Sequence, residues 1–516
     1  MTQALPRGWT SASLNTLGTW LGGGTPSKAN PAYWQNGTVE WVSPKDMKRL
    51  LIDSAQDQIT KKALKESATN LVPANSVLMV TRSGILAHTF PVGINTVDVA
   101  INQDLKAWTS LGAVSPTYAA YFLKARGQHI LRECSKDGTT VSSIDFDRLS
   151  AYPVAVAPAN EQRRVVSKID ELFSRIDEGE QALKRVEKLV ERYRQSVLKA
   201  AVTGELTRGW REARKRAGES VESGEALFAH ILKARRAAWE RAELAKLKDK
   251  GNPPTDDRWK QRYTAPQPPN TTGLPELPEG WVWTSLDMIA DVTGGITVDA
   301  KRSGSDCESV PYLRVANVQR GYLNLSEIKS LLAPKSRIDA LKLRPGDILF
   351  NEGGDLDKLG RGWIWEGQIP VCIHQNHVFR ARLVLPGPWP KLVSWYANEM
   401  GRAFFIDKGK QTTNLASISL TKLKALPVPM MSETEAAEIE SRVSAALAAI
   451  EHHNSDIRSA SVSASALRQS ILKAAFSGQL VPQDPKDEPA AKLLERIAAG
   501  RMQATPAPRP RKKKTA

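Results

Sequence analysis

Arg194-Gln195-Ser196-Val197-Leu198-Lys199-Ala200-Ala201 is answered 274 positions later by Arg468-Gln469-Ser470-Ile471-Leu472-Lys473-Ala474-Ala475, and Gly204 and Gly478 close the two copies. Upstream of the first octapeptide Ile169, Ile176, Leu183, Val190 and Val197 fall every seven positions, with Leu172, Val186, Tyr193 and Ala200 at a companion spacing. That is the seam of a coiled-coil helix. The second copy sets Val443, Ile450, Ile457, Ala464 and Ile471 beside Ala446, Ala460, Leu467 and Ala474. No proline interrupts either run. Ser432 and Glu435 have capping-box spacing at the second start, and each closing glycine suits the left-handed position after a helix. From Glu161 to Glu205 such a helix spans roughly 65 Å at about 1.5 Å per residue, a strut rather than a core helix. Gly179, His453 and the alanines leave the seams thin for a parallel homodimer, so the expected partner of each helix is the other one, packed antiparallel within the chain.

The duplication reaches further than the helices. Leu5-Pro6-Arg7-Gly8-Trp9 returns as Leu277-Pro278-Glu279-Gly280-Trp281, Gly22-Gly23 as Gly294-Gly295, and Ile101-Asn102-Gln103 as Ile373-His374-Gln375. Each half is thus a large domain followed by a strut, which divides the chain into a first domain at 1–158, a first helix at 159–206, a charged helical segment and Pro-rich linker at 207–276, a second domain at 277–431, a second helix at 432–480, and a helical segment with a basic tail at 481–516. The large domains carry short β-like runs, Val39–Val42, Ser76–Val80, Val310–Val315, Asp347–Phe350 and Val378–Val384, with helical stretches at Ser115–Arg126 and Leu392–Phe405. The expected fold class is α+β: two duplicated α/β domains joined by two long helices in an antiparallel coiled coil, with pseudo-twofold symmetry.

Lysine and arginine exceed aspartate and glutamate by 72 to 55, a formal charge of +17 in 516 residues, which favours a polyanionic partner, nucleic acid first. Counting along the chain gives +4 for each large domain and +5 for 207–250. The ordinary hydrophobic content excludes disordered and membrane-spanning classes for most of the chain, and three widely spaced cysteines with no basic-then-apolar leader point to a reducing cytoplasm.

Motifs for chemistry are weak throughout. Asn252-Pro253-Pro254-Thr255 lacks the aromatic residue that would stack on a flipped base, and Gly362 to Gln368 has phosphate-loop spacing without its Lys and Ser/Thr. Cys372, His374 and His377 have no fourth ligand from a CxxC pair, and the first copy holds Ala100, Asn102 and Leu105 there. The expectation is therefore no catalytic residue, no metal and no cofactor on this chain, which reads as a binder. Bases are told apart by Arg or Lys on guanine and Asn or Gln on adenine, while hydroxyls, Lys and Arg hold phosphates. The candidate DNA contacts of that kind are Lys45, Asp46, Arg82, Ser83, Asn102, Gln103, Lys136, Thr139 and Thr140 in the first domain. In the second they are Arg314, Asn317, Asn351, Gln375, Asn376, Lys410, Thr412 and Thr413.

With Gly24-Thr25-Pro26-Ser27 after the opening strand, Leu149 to Val156 before the first helix, and Gln195 to Leu206 ending it, the chain resembles the DNA-specificity (S) subunit of Type I restriction-modification enzymes over nearly its whole length. That resemblance implies two target-recognition domains, each reading one half of a bipartite double-stranded DNA site. It also implies that the helices act as spacer and as docking surface for two methyltransferase (M) subunits, through Ile169, Ile176, Leu183, Val190, Val197, Val443, Ile450, Ile457, Leu467 and Ile471. S-adenosylmethionine would then sit on the methyltransferase, and ATP and Mg on the restriction/translocase (R) subunits. The alternatives are the specificity subunit of a related non-Type I restriction enzyme and a coiled-coil scaffold with two protein-binding heads.

Overall fold

Both heptad runs are helical from end to end, Ala159–Val202 and Glu433–Phe476, 44 residues each. Gly204 and Gly478 follow them at φ +77° and +73°, the left-handed conformation that costs a residue without Cβ least. The computed structural model describes residues 5–136, 142–219, 222–354, 358–385, 387–411 and 416–504. It divides into two compact units, Met1–Lys184 with Ile457–Ala516, and Arg185–Asp456. Each unit holds one large domain, the adjoining part of one long helix and, antiparallel to it, part of the other.

In the first unit a five-stranded sheet runs in the order Gly18–Gly22, Leu105–Ser110, Val77–Val80, Val92–Asn95, Leu51–Ile52, and a four-stranded sheet in the order Asp57–Ile59, Val39–Val42, Val99–Ile101, Leu71–Val72. Helix Pro116–Ala125, capped by the Ser115 hydroxyl, buries Tyr118 to Leu123. One continuous core joins Val77–Val80 and Trp108 to Val165 and Ile169 of the first long helix and to Ile471, Leu472, Ala475 and Phe476 of the second. Gln162 roots the first helix in the domain: its buried amide donates to the Ala113 and Ala157 carbonyls at 2.9 Å and accepts from Ser115 N at 3.1 Å.

The second unit repeats this plan. Ala290–Thr293, Val378–Leu383, Ile348–Asn351 and Gly362–Ile364 form its four-stranded sheet, and Lys329–Pro334, Cys307–Leu313 and Ile373–His374 a three-stranded one. Its core joins Val197, Leu198 and Ala201 of the first long helix to Ala436, Ile439 and Val443 of the second. The helical stretch expected at Leu392–Phe405 breaks into Trp389–Glu399 and Gly401–Lys408.

Two expectations need correction. Glu435 N donates to the capping Ser432 hydroxyl at 3.2 Å, but the Glu435 carboxylate does not turn back to complete the box. It is buried and accepts from Trp281 Nε1 at 2.9 Å, the Thr207 hydroxyl at 2.7 Å and Arg211. A charged donor within reach outcompetes the helix's own N-terminal amide. The second correction concerns the seam. The residues at the heptad positions are buried or half-buried, yet Val186, Tyr193 and Leu467 are 43%, 56% and 52% exposed. Four residues after most heptad positions the side chain turns inward, at Phe173, Glu180, Arg194 and Ala201 on one helix and at Leu447, Asn454, Arg468 and Ala475 on the other, while Glu187 and Ser461 stay exposed and Leu172, Ala200, Ala446, Ala460 and Ala474 keep a half-buried place three residues after theirs.

Candidate nucleic-acid interface

Strands Val39–Val42 and Val99–Ile101 are parallel, so the segments leaving them, 43–47 and 102–104, emerge at the same end. Gly23 lies against that end: a Cβ there would stand 2.0 Å from the Asn102 carbonyl oxygen, an approach only glycine permits. A chain of main-chain bonds then links the neighbouring loops. Asn102 N donates to Val42 O at 3.0 Å, Thr81 N and Arg82 N donate to Asp104 O at 2.7 and 3.2 Å, Ser83 N to Ser142 O at 3.1 Å, and Lys136 N to Ser143 O at 2.9 Å. Segments distant in sequence thereby form one rim, and they include every described candidate of the first domain.

The side chains on that rim divide by role. Asp46 is committed to its own turn, accepting from Ser43 N at 2.8 Å, the Ser43 hydroxyl at 2.9 Å and Gln56 N at 2.9 Å. Buried Asn102 bonds back to Asp104, through Nδ2 to the carboxylate and through Oδ1 from Asp104 N, both at 3.1 Å. Ser83 caps the turn that follows it through Ile85 N. These three shape the loops. Lys45, Arg82 and Lys136 are exposed with no ion pair to a described residue, and exposed Gln103 accepts from the Thr25 hydroxyl. Thr139 and Thr140 lie outside the described residues.

The second unit builds the same rim with other side chains. Cys307–Leu313 and Ile373–His374 are parallel, Gly295 would place a Cβ 2.0 Å from the His374 carbonyl oxygen, and Ile418 N donates to Glu352 O at 2.8 Å as Ile144 N does to Thr81 O. By that equivalence Gly353 stands where the first rim has Arg82. Asn317 and Asn351 are buried: Asn317 Nδ2 donates to Asn324 O and Glu327 O at 2.9 Å each, and Asn351 Nδ2 to Val318 O at 2.9 Å. Arg314 is turned to Glu327 at 3.4 Å. Half-buried Gln375 and Asn376 and exposed His377 remain on the rim, with His377 Nδ1 2.6 Å from a Glu352 carboxylate oxygen. The Lys410 backbone pairs with Ser417 in a small sheet with Gly353–Gly354, and Thr412 and Thr413 fall outside the described residues. Sequence offers His377 only as a rejected metal ligand, and its pairing with Glu352 leaves no sequence signal because it joins loops 25 residues apart.

His374 is a buried side chain of the sheet and Cys372 is buried just before the same strand, with His374 Nδ1 2.6 Å from Val378 O. Burial depresses the His374 pKa from 6.5 to about 4. On acidification the unfolded chain takes up this proton first, so the contribution is intact above pH 6.5. Stability of the second unit should then fall by up to about 1.4 kcal/mol per pH unit from pH 6.5 down to about 4. Urea unfolding across that range measures it, and His374→Gln should flatten the slope; an identical slope in the variant would assign the acid sensitivity elsewhere.

Among the described residues no helix is long and apolar enough to cross a membrane. Residues 6–188 match the family model described as the Type I restriction modification DNA specificity domain. The specificity subunit of the Type I restriction enzyme EcoR124I/EcoR124II of Escherichia coli is 42% identical over 170 residues, 32% of this chain and 42% of that relative's length. The EcoKI specificity subunit of Escherichia coli strain K12 is 21% identical, and the StySPI specificity subunit of Salmonella potsdam 22%, each over 96% of both chains. A solved structure of a type I R-M system, 14% identical, covers 93% of this chain and 100% of its own with a TM-score of 0.61, which shows a shared fold.

Proposed function

We propose that the chain is a specificity subunit of the Type I restriction-modification family, and that each unit applies its rim to duplex DNA and reads one half of a bipartite site. The observation that carries this is the rim built twice on one backbone plan with different side chains, Lys45, Arg82, Gln103 and Lys136 in one unit and Gln375, Asn376 and His377 in the other. One scaffold with two chemistries is what two unlike half-sites require. Gln and Asn amides suit the adenine edge in the major groove, and Arg suits guanine or phosphate. In this reading the chain is a non-catalytic component acting in the cytoplasm. The long helices set the separation of the half-sites and dock two methyltransferase subunits, which carry S-adenosylmethionine, while restriction subunits bring ATP and Mg.

Co-expression with an adenine methyltransferase is expected to yield a complex of two such subunits per chain that binds one bipartite sequence, with affinity falling steeply as salt rises. Failure to associate, or equal affinity for all sequences, would overturn the reading and favour a scaffold with protein-binding heads.

A further inference from the structure

The inward stripe of the long helices contains charged residues where an apolar seam would be simplest. In the first unit Ile169, Phe173 and Ile176 belong to the same core as Ile471, Leu472 and Ala475, next to the recognition domain. Farther out, from Asp177 to Lys184 and from Ile457 to Ser470, neither helix has a buried residue. In that stretch the Arg468 guanidinium reaches from the second helix to Glu180 at 2.6 and 3.1 Å, and to Asp177 one turn earlier. Arg468 is a quarter exposed and Glu180 a third. A pair still this open to solvent contributes modestly to stability, so its main effect must be sought elsewhere.

We propose that Arg468, Asp177 and Glu180 form a register lock, fixing the axial setting of the second long helix against the first. In the outer stretch the seam residues Ala460 and Ala464 are small and only half-buried, and they pack nearly as well after a slide of one turn, about 5.4 Å. The guanidinium does not. Its planar fork fits two carboxylates spaced three residues apart at a single axial position. Moved one turn one way, Arg468 meets Phe173 and Ile176; moved the other way, it meets Leu183 and Lys184. Either slide strands the carboxylates and one places two cations together. A polar group at an inward position specifies register in the same manner in coiled coils generally. The second unit holds a polar set at the equivalent places, where Arg194, Glu451 and Asn454 line one cavity of about 730 Å³.

The consequence for specificity rests on the function proposed above: a fixed register means a fixed spacer between half-sites, making Arg468 a positioning residue. The test uses the full chain with its methyltransferase subunits. Nitroxide labels on exposed Ser174→Cys and Ser459→Cys, set roughly 20 Å apart along the helix axes at about 1.5 Å per residue, in a Cys307→Ser background, should report one narrow distance. Arg468→Met should add a second population displaced by about 5 Å, one turn, and the triple variant Asp177→Arg, Glu180→Arg, Arg468→Glu should restore a single population. A single unshifted distance in Arg468→Met overturns the lock. Methylome sequencing then separates the two claims. Unchanged half-sites with a second spacer length support both, whereas two distances with one unchanged spacer leave the lock standing and sink the helices' role as spacer.

Discussion

Replacing Glu435 by alanine is expected to destabilise the second unit by about 3–5 kcal/mol, because it removes one partner of a buried ion pair and leaves the other behind. Glu435 is 4% exposed and satisfies Trp281 Nε1, the Thr207 hydroxyl and Arg211 at once. Arg211 also donates to the Gly204 carbonyl at 2.8 Å, and Pro278 sits against the same glycine. The carboxylate therefore ties the start of the second long helix to the end of the first and to the opening of the second domain. Glu435→Gln keeps an acceptor for Trp281 or Thr207 and should cost only about 1–2 kcal/mol. Urea denaturation of both variants distinguishes them; equal small losses would show that the hub is dispensable. Glu161, the matching residue 274 positions earlier, is also buried, and burial pushes its carboxyl up against the opposing pull of Trp9 and Arg164.

The second large effect is on DNA. Arg82→Gln with Lys136→Gln should lower the slope of log affinity against log salt by about 1.8, at about 0.9 for each phosphate no longer neutralised, and weaken all sequences alike. Gln375→Ala or Asn376→Ala should leave that slope unchanged and relax preference at one position of one half-site, by about 1–3 kcal/mol. Binding titrations of the assembled complex at several salt concentrations read both. A changed slope in the Gln375 variant, or sequence-dependent loss in the Arg82 variant, would reverse the roles assigned to the two rims.

The doubled plan was legible because the repeat holds its register to within two residues from Trp9 and Trp281 through Gly204 and Gly478, and the long helices because a seven-residue period needs no tertiary information. Which neighbour completes the seam was not legible. Tyr193 and Leu467 are apolar and Arg194 and Arg468 charged, so hydropathy selects the former pair. The helices turn the charged pair inward, since their crossing is set by the domain cores at Ile169 and Ile471 and by the acids that meet Arg468. The rims were legible as polar loops and not as roles. Asn317 and Asn351 look like base readers in sequence, yet each amide is bound to carbonyls of other loops, up to 36 residues away. Long-range pairing of that kind leaves no periodic trace.

The way the chain is cut into units bears on its birth. The second unit is contiguous, Arg185–Asp456, whereas the first joins Met1–Lys184 to Ile457–Ala516. A ribosome adding about 5–20 residues per second completes the first domain early, then leaves the apolar face of Val165, Ile169 and Ile176 without its mate for roughly 15–60 seconds, until Ile471 to Phe476 emerge. The half made first is finished last. Nascent chains halted before residue 457 should carry that face open to chaperones, even though the second unit by then has all its parts.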